Sequence, residues 1–132
     1  MVRKFCGSLA IAATVVLPLV LSGGMDAYAQ NSFGAIARSR STQDKGYAWN
    51  YSSRAAAERS AISQCESLSG AGDCRILIWV RNACMSISEA SNGAAGTAWS
   101  ANAGAAEEKA DEVCRDYGGR NCSTVRTICT PD

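Results

Sequence analysis

Residues 46–65, GYAWNYSSRAAAERSAISQC, and residues 96–114, GTAWSANAGAAEEKADEVC, are two versions of one pattern. Gly46-Tyr47-Ala48-Trp49 recurs as Gly96-Thr97-Ala98-Trp99, Ala57-Glu58 as Ala106-Glu107, and Cys65 followed by Cys74 as Cys114 followed by Cys122. A steady offset of about 49 residues marks an internal duplication, so one unit read twice decides the fold. Ala57, Ala61, Ile62, Cys65 and Leu68 fall at helical spacing in the first unit, as do Ala103, Ala106, Ala110, Val113, Cys114 and Tyr117 in the second. Ser53 and Asn102 stand just before these stripes, where a side-chain oxygen can accept from a free backbone N–H, and Gly118-Gly119 can end the second helix. Helices are predicted over 53–67 and 102–117.

Short β-like runs flank them at 33–38, 46–51, 74–81, 84–90, 95–101 and 122–129. Each copy is therefore β-β-α-β. The expected fold is α+β: two tandem repeats, about 33–83 and 84–130, forming one mainly antiparallel six-stranded sheet with both helices on one face. Asn92-Gly93 between two runs signals a two-residue hairpin turn, and Ser39 to Lys45 is a longer loop at the matching place. The alanine stripes let helix and sheet approach closely but bury little apolar area.

Cysteines supply what such a core lacks. Arg3 and Lys4, an apolar run from Leu9 to Leu21, and Ala27-Tyr28-Ala29 before Gln30 have the form of an export signal cleaved after Ala29. The apolar run is too short for a bilayer span, so residues 1–29 are expected to be a signal peptide. Residues 30–132 are then a single duplicated cysteine-rich domain, secreted or periplasmic, with no membrane span. Cys6 leaves with the signal, and Cys65, Cys74, Cys84, Cys114, Cys122 and Cys129 remain as an even set suited to an oxidising compartment. The duplication joins a helix end to a strand start in each copy, Cys65 to Cys74 and Cys114 to Cys122. Cys84 is left for Cys129, a bridge expected to tie the two halves together. No metal is expected, because there is no CxxC pair and the chain contains no histidine.

Phe33-Gly34-Ala35-Ile36-Ala37, the run from Trp49 to Glu58, Cys65, and Gly72-Asp73-Cys74 with the strand to Trp79 resemble a bacterial exported family, domain of unknown function 4189. The resemblance spans essentially all of residues 30–132. It implies a small secreted or periplasmic protein with these cysteines, and it brings no catalytic residues. Many members have proline where this chain has Ser52, a departure confined to the helix entry.

The absence of histidine excludes Ser-His-Asp and Cys-His catalysis. Glu107, Glu108, Asp111 and Glu112 cluster, but on one helix, where they read as a solvated face with Asp111 supporting Arg115 one turn on. The glycines form no phosphate cradle, and no cofactor is expected. Tyr47, Trp49 and Tyr51 are expected on one strand face, with Trp49 and Trp99, as repeat equivalents, serving as core pillars. Strand alternation places Ile76, Ile78 and Val80 under the helices and leaves Arg75, Leu77, Trp79 and Arg81 on the opposite, partly open face. Arg75, Trp79 and Arg81 are thus the candidate partner contact.

Residues 30–83 carry Arg38, Arg40, Lys45, Arg54, Arg59, Arg75 and Arg81 against Asp44, Glu58, Glu66 and Asp73, and beyond 84 the balance reverses. A chain so nearly neutral lacks the basic footprint that nucleic acid needs, while its polarity permits a protein partner or head-to-tail self-association. The expected function is a non-enzymatic binding module, an effector or inhibitor of another secreted protein. A cell-envelope structural factor is the next reading, and a carboxylate-based hydrolase the third.

Overall fold

In the computed structural model, which describes residues 30–132, the order β-β-α-β runs twice. The first copy contains β1 (Phe33–Ser39), β2 (Lys45–Tyr51), α1 (Arg54–Ser69) and β3 (Cys74–Arg81). The second contains β4 (Ala83–Glu89), β5 (Ala95–Ser100), α2 (Ala103–Asp116) and β6 (Ser123–Thr130). The segment read as a signal peptide, 1–29, lies outside the described residues. Both helices start as their capping residues dictate: Ser53 Oγ accepts from the Ala56 N–H and Asn102 Oδ1 from the Ala105 N–H, each at 3.1 Å. Gly70 at φ 62° ends α1, and the Gly119 N–H closes α2 by donating to the Cys114 carbonyl.

The α+β class stands, but the strands do not join into one sheet. They form two three-stranded antiparallel sheets, ordered β2-β1-β3 and β5-β4-β6. The first strand of each copy is central and already paired on both sides. Each sheet then has two apolar faces to cover, and one helix covers only one of them. Ala35, Ala37 and Ala48 pack under Ala57, Ala61 and Cys65 of α1. The other face carries the larger side chains, and Ile36 and Val80 of the first sheet meet Met85, Ile87 and Ile128 of the second in one cluster. The layers therefore run helix, sheet, sheet, helix, with the helices on opposite outer faces rather than on one. Asn82, the single residue between β3 and β4, takes φ 50° and turns the chain from one sheet to the next. Ser32 secures this corner, its N–H donating to Asn82 Oδ1 at 2.8 Å and its carbonyl accepting from the Asn82 N–H at 2.9 Å.

The repeated Gly-x-Ala-Trp has a direct physical cause. A Cβ on Gly46 would lie 1.8 Å from the Ala61 carbonyl oxygen of α1, and one on Gly96 would lie 2.2 Å from the Cys114 nitrogen of α2. Each strand touches its helix backbone where only glycine fits.

Bridges join Cys65 to Cys74, Cys114 to Cys122 and Cys84 to Cys129, the three pairs to which the duplication leads. The third does not tie the halves together. Cys84 belongs to the first strand of the second copy, and it faces Cys129 directly across the β4–β6 ladder. The β4–β5 hairpin also differs from expectation. Ala90 and Ala94 close it, the Gly93 N–H donates to the Ala90 carbonyl, and only Gly93 has positive φ. This is a three-residue loop ending in a left-handed glycine, not a two-residue turn.

The copies differ under their helices. Ala37 of the first sheet corresponds to Ser88 of the second, since they pair with Gly46 and Gly96 respectively. Ser88 is fully buried and donates its hydroxyl to Asp111, while Thr127 Oγ1 donates to Glu107 Oε1 at 2.7 Å. Two of the four clustered acids thus face the sheet, and Asp111 pairs with Ser88 rather than with Arg115. Asp111→Ala is expected to cost about 1–3 kcal/mol, because it strands a buried hydroxyl. Urea unfolding of the variant measures it, and Glu108→Ala on the exposed side of the helix should change little.

Candidate functional site

β3 decides where the candidate contact residues go, and a bulge decides β3. Ile36 pairs with Ile78 but its neighbour Ala37 pairs with Ile76, so Leu77 is one residue too many. Leu77 and Ile78 both turn toward the second sheet, and the alternation after them is inverted. Ile76 and Trp79 consequently share the helix-bearing face, Ile76 packing in the α1 cluster and Trp79 opposite Ala35. Trp79 therefore does not lie on the sheet face away from the helices, and Arg75, Trp79 and Arg81 do not form one patch. Arg75 sits opposite Arg38 at one end of β3, and Trp79 and Arg81 are at the other.

The same device explains Arg126. Ile87 pairs with Arg126 and Ser88 with Thr124, leaving Val125 as the extra residue at the position equivalent to Leu77. Arg126 is thereby turned toward the first sheet, where its guanidinium lies 4.5 Å from the Tyr47 ring centre and 5.3 Å from that of Trp49. Burial raises the Tyr47 phenol above its ordinary pKa, opposed by Arg126 and reinforced by Glu89, so the ring stays neutral beneath the cation. Tyr51 is not on that face. Asn50 at φ 61° interrupts the strand, and Tyr51 packs toward α1 with its hydroxyl donating to Ser60 Oγ at 2.6 Å.

Tyr47, Trp49 and Arg126 close one side of the double sheet, between β2 and β6. On the other side, between β3 and β5, the equivalent residues are Thr97, Trp99 and Ile78, and among the described residues no aromatic ring or cation packs over Trp99. Trp99 is 61% exposed and Trp79 39%, so neither is a core pillar. With Val80, Arg81 and Ala83 they line a cleft of about 400 Å³. Trp79 is held from behind, by Phe33 stacked at 6.4 Å between centroids and by the Arg54 guanidinium at 4.2 Å. Trp99, expected as a core pillar, instead lines the cleft, and Arg54, to which the sequence assigns no role, braces it. Part of the signal lies in the repeat, where Thr97 stands at the place of Tyr47; that Ile78 takes the place of Arg126 follows only from the strand registers.

A second cavity, of about 460 Å³, lies at the far end of the same side and includes Arg38, Arg75, Leu77 and Tyr117 in its lining. Nearby, Asp73 clasps the β1–β2 loop, accepting from Ser39 Oγ at 2.5 Å and from the Ser41 N–H at 2.8 Å, and these bonds hold its carboxyl below the usual range. Among the described residues no group of three or more His, Cys, Asp or Glu side chains is placed to hold a metal ion, and no helix is long and apolar enough to cross a membrane.

Residues 33–129 match the family described as Domain of unknown function (DUF4189). The chain belongs to this family. Both tryptophans of the cleft and all six bridged cysteines fall within the DUF4189 match. No curated protein matches the chain. The NMR structure of Rv1813c from Mycobacterium tuberculosis is similar, with a TM-score of 0.55, 23% identity, and coverage of 97% of this chain and 100% of that one. At that identity the likeness shows a shared fold.

Proposed function

We propose that this chain works after export as a non-enzymatic module that binds another protein through the Trp79–Trp99 cleft. The carrying observation is the broken symmetry of the double sheet: Trp49 is covered by Arg126, and its counterpart Trp99 stands 61% exposed beside a second, half-exposed tryptophan. Tryptophan and arginine dominate the energetics of protein contacts, and an exposed pair at a sheet edge is costly to keep without a use. Arg54 and Arg81 flank the cleft and favour a partner that places carboxylates around an apolar anchor. Export is supported by the basic start, the apolar run and Ala27-Tyr28-Ala29, and by three disulfides. A non-enzymatic role is supported by the lack of histidine and by the engagement of Glu107 and Asp111 with Thr127 and Ser88.

The test is crosslinking of the natively produced protein with mass spectrometry, repeated for Trp99→Ala. The variant should lose its crosslinked protein while its urea midpoint moves little, since truncating an exposed side chain costs about 0.5 kcal/mol or less. Unchanged capture by Trp99→Ala would refute the cleft as the contact.

A further inference from the structure

Lys45 pairs with Arg38 across β1–β2, and Arg38 pairs with Arg75 across β1–β3. Three cations therefore stand side by side across the whole width of the first sheet, on its inward face. Like charges directly opposite each other in a sheet repel. Among the described residues a single carboxylate pairs with them: Glu89, from the facing sheet, with Arg38 at 3.5 Å and with Lys45. Arg38 also donates to the Gly93 carbonyl at 3.1 Å, while its Nε is buried without a partner among the described residues. Arg75 has no ion pair among the described residues and is exposed. Three cations against one carboxylate leave an uncompensated positive end, and it opens into the 460 Å³ cavity.

We infer that this cavity binds a small molecule carrying an anionic group, a phosphate monoester or a carboxylate, on an apolar portion about the size of a ring. Arg38 and Arg75 take the anion, since adjacent guanidinium forks match the geometry of phosphate and carboxylate oxygens. Leu77, Val113 and Tyr117 supply the apolar walls, Thr97 offers a hydroxyl, and among the described residues no carboxylate lines the cavity to repel the ligand. Its volume lies within the range of small-molecule sites, about 300–1,000 Å³. The site is separate from the tryptophan cleft and does not depend on it.

Calorimetric titration of the disulfide-bonded protein with phenyl phosphate, benzoate, phenol and inorganic phosphate tests this. Phenyl phosphate or benzoate, whichever anion the site prefers, should bind saturably at one site. Phenol and inorganic phosphate, each lacking half of the ligand, should bind at least about tenfold more weakly. Arg75→Ala should weaken the preferred anion about tenfold or more, as loss of a charged hydrogen-bonding partner predicts. The same variant without ligand should unfold no earlier than the parent, because it relieves the repulsion with Arg38, an outcome that a merely structural arginine would not give. Absence of saturable binding by both anions at millimolar concentration, or equal binding by Arg75→Ala, would overturn the site. Inorganic phosphate bound as tightly as phenyl phosphate would overturn the apolar half of the assignment.

Discussion

Gly46→Ala is expected to destabilise the protein by about 3 kcal/mol or more, and Gly96→Ala by nearly as much, far above the usual cost of adding one methyl group. The new Cβ on residue 46 would lie 1.8 Å from the Ala61 carbonyl oxygen and 2.6 Å from the Cys65 nitrogen. Both are helix backbone, so no side-chain rotation relieves the clash. Nor can the helix retreat cheaply, because Cys65 is bonded to Cys74 at the start of the neighbouring strand. The contact itself is alanine on alanine, which stabilises through closeness rather than area, and a helix pushed outward loses that dispersion along its length. Denaturant unfolding followed by tryptophan fluorescence checks it. A change below about 0.5 kcal/mol would mean that strand and helix are further apart than the structure places them.

The same glycines mark how far the sequence could be read. Their recurrence with Trp and Cys gave the duplication, and helical spacing with Ser53 and Asn102 gave the helices to within two residues of their ends. What lay beyond reading was the register that each strand takes against its partner. Leu77 and Val125 look like ordinary strand residues, and each becomes a bulge only because the residue opposite pairs one place further on. That slip moved Trp79 and Arg81 to the helix side and left Arg75, of the three candidates, on the inner face. The choice between one sheet and two has a similar origin. It depends on Ile36, Val80, Met85, Ile87 and Ile128 finding one another across the layers, at sequence distances that no local pattern reports. Exposure of Trp99 is a long-range property as well, fixed by Ile78 standing where Arg126 stands on the closed side.

Removal of the Cys84–Cys129 bridge, by Cys84→Ala with Cys129→Ala, is expected to cost about 4 kcal/mol, against about 2.5–3 for either short bridge, in the chain-entropy account. The bridge spans 45 residues, whereas the others span 9 and 8, so it withdraws the most freedom from the unfolded chain. Its place in the ladder adds to the effect. Phe33 and Arg81 are paired at the equivalent point of the first sheet, where the Phe33–Trp79–Arg54 stack holds the strand ends. In the second sheet Thr127 replaces Trp79 and the described residues form no such stack, so β6, an edge strand, depends on the covalent link. Its loss should also free Ile128 and Arg126, and with them the lid over Tyr47 and Trp49. Native disulfide variants compared by urea unfolding give the ranking. Trp49 should become more accessible to quencher in the Cys84/Cys129 variant but not in the Cys65/Cys74 variant, a difference that unfolded-state entropy alone would not produce. If the short bridges proved the costlier to lose, the helix ends rather than the β4–β6 ladder would be the points on which this small core depends.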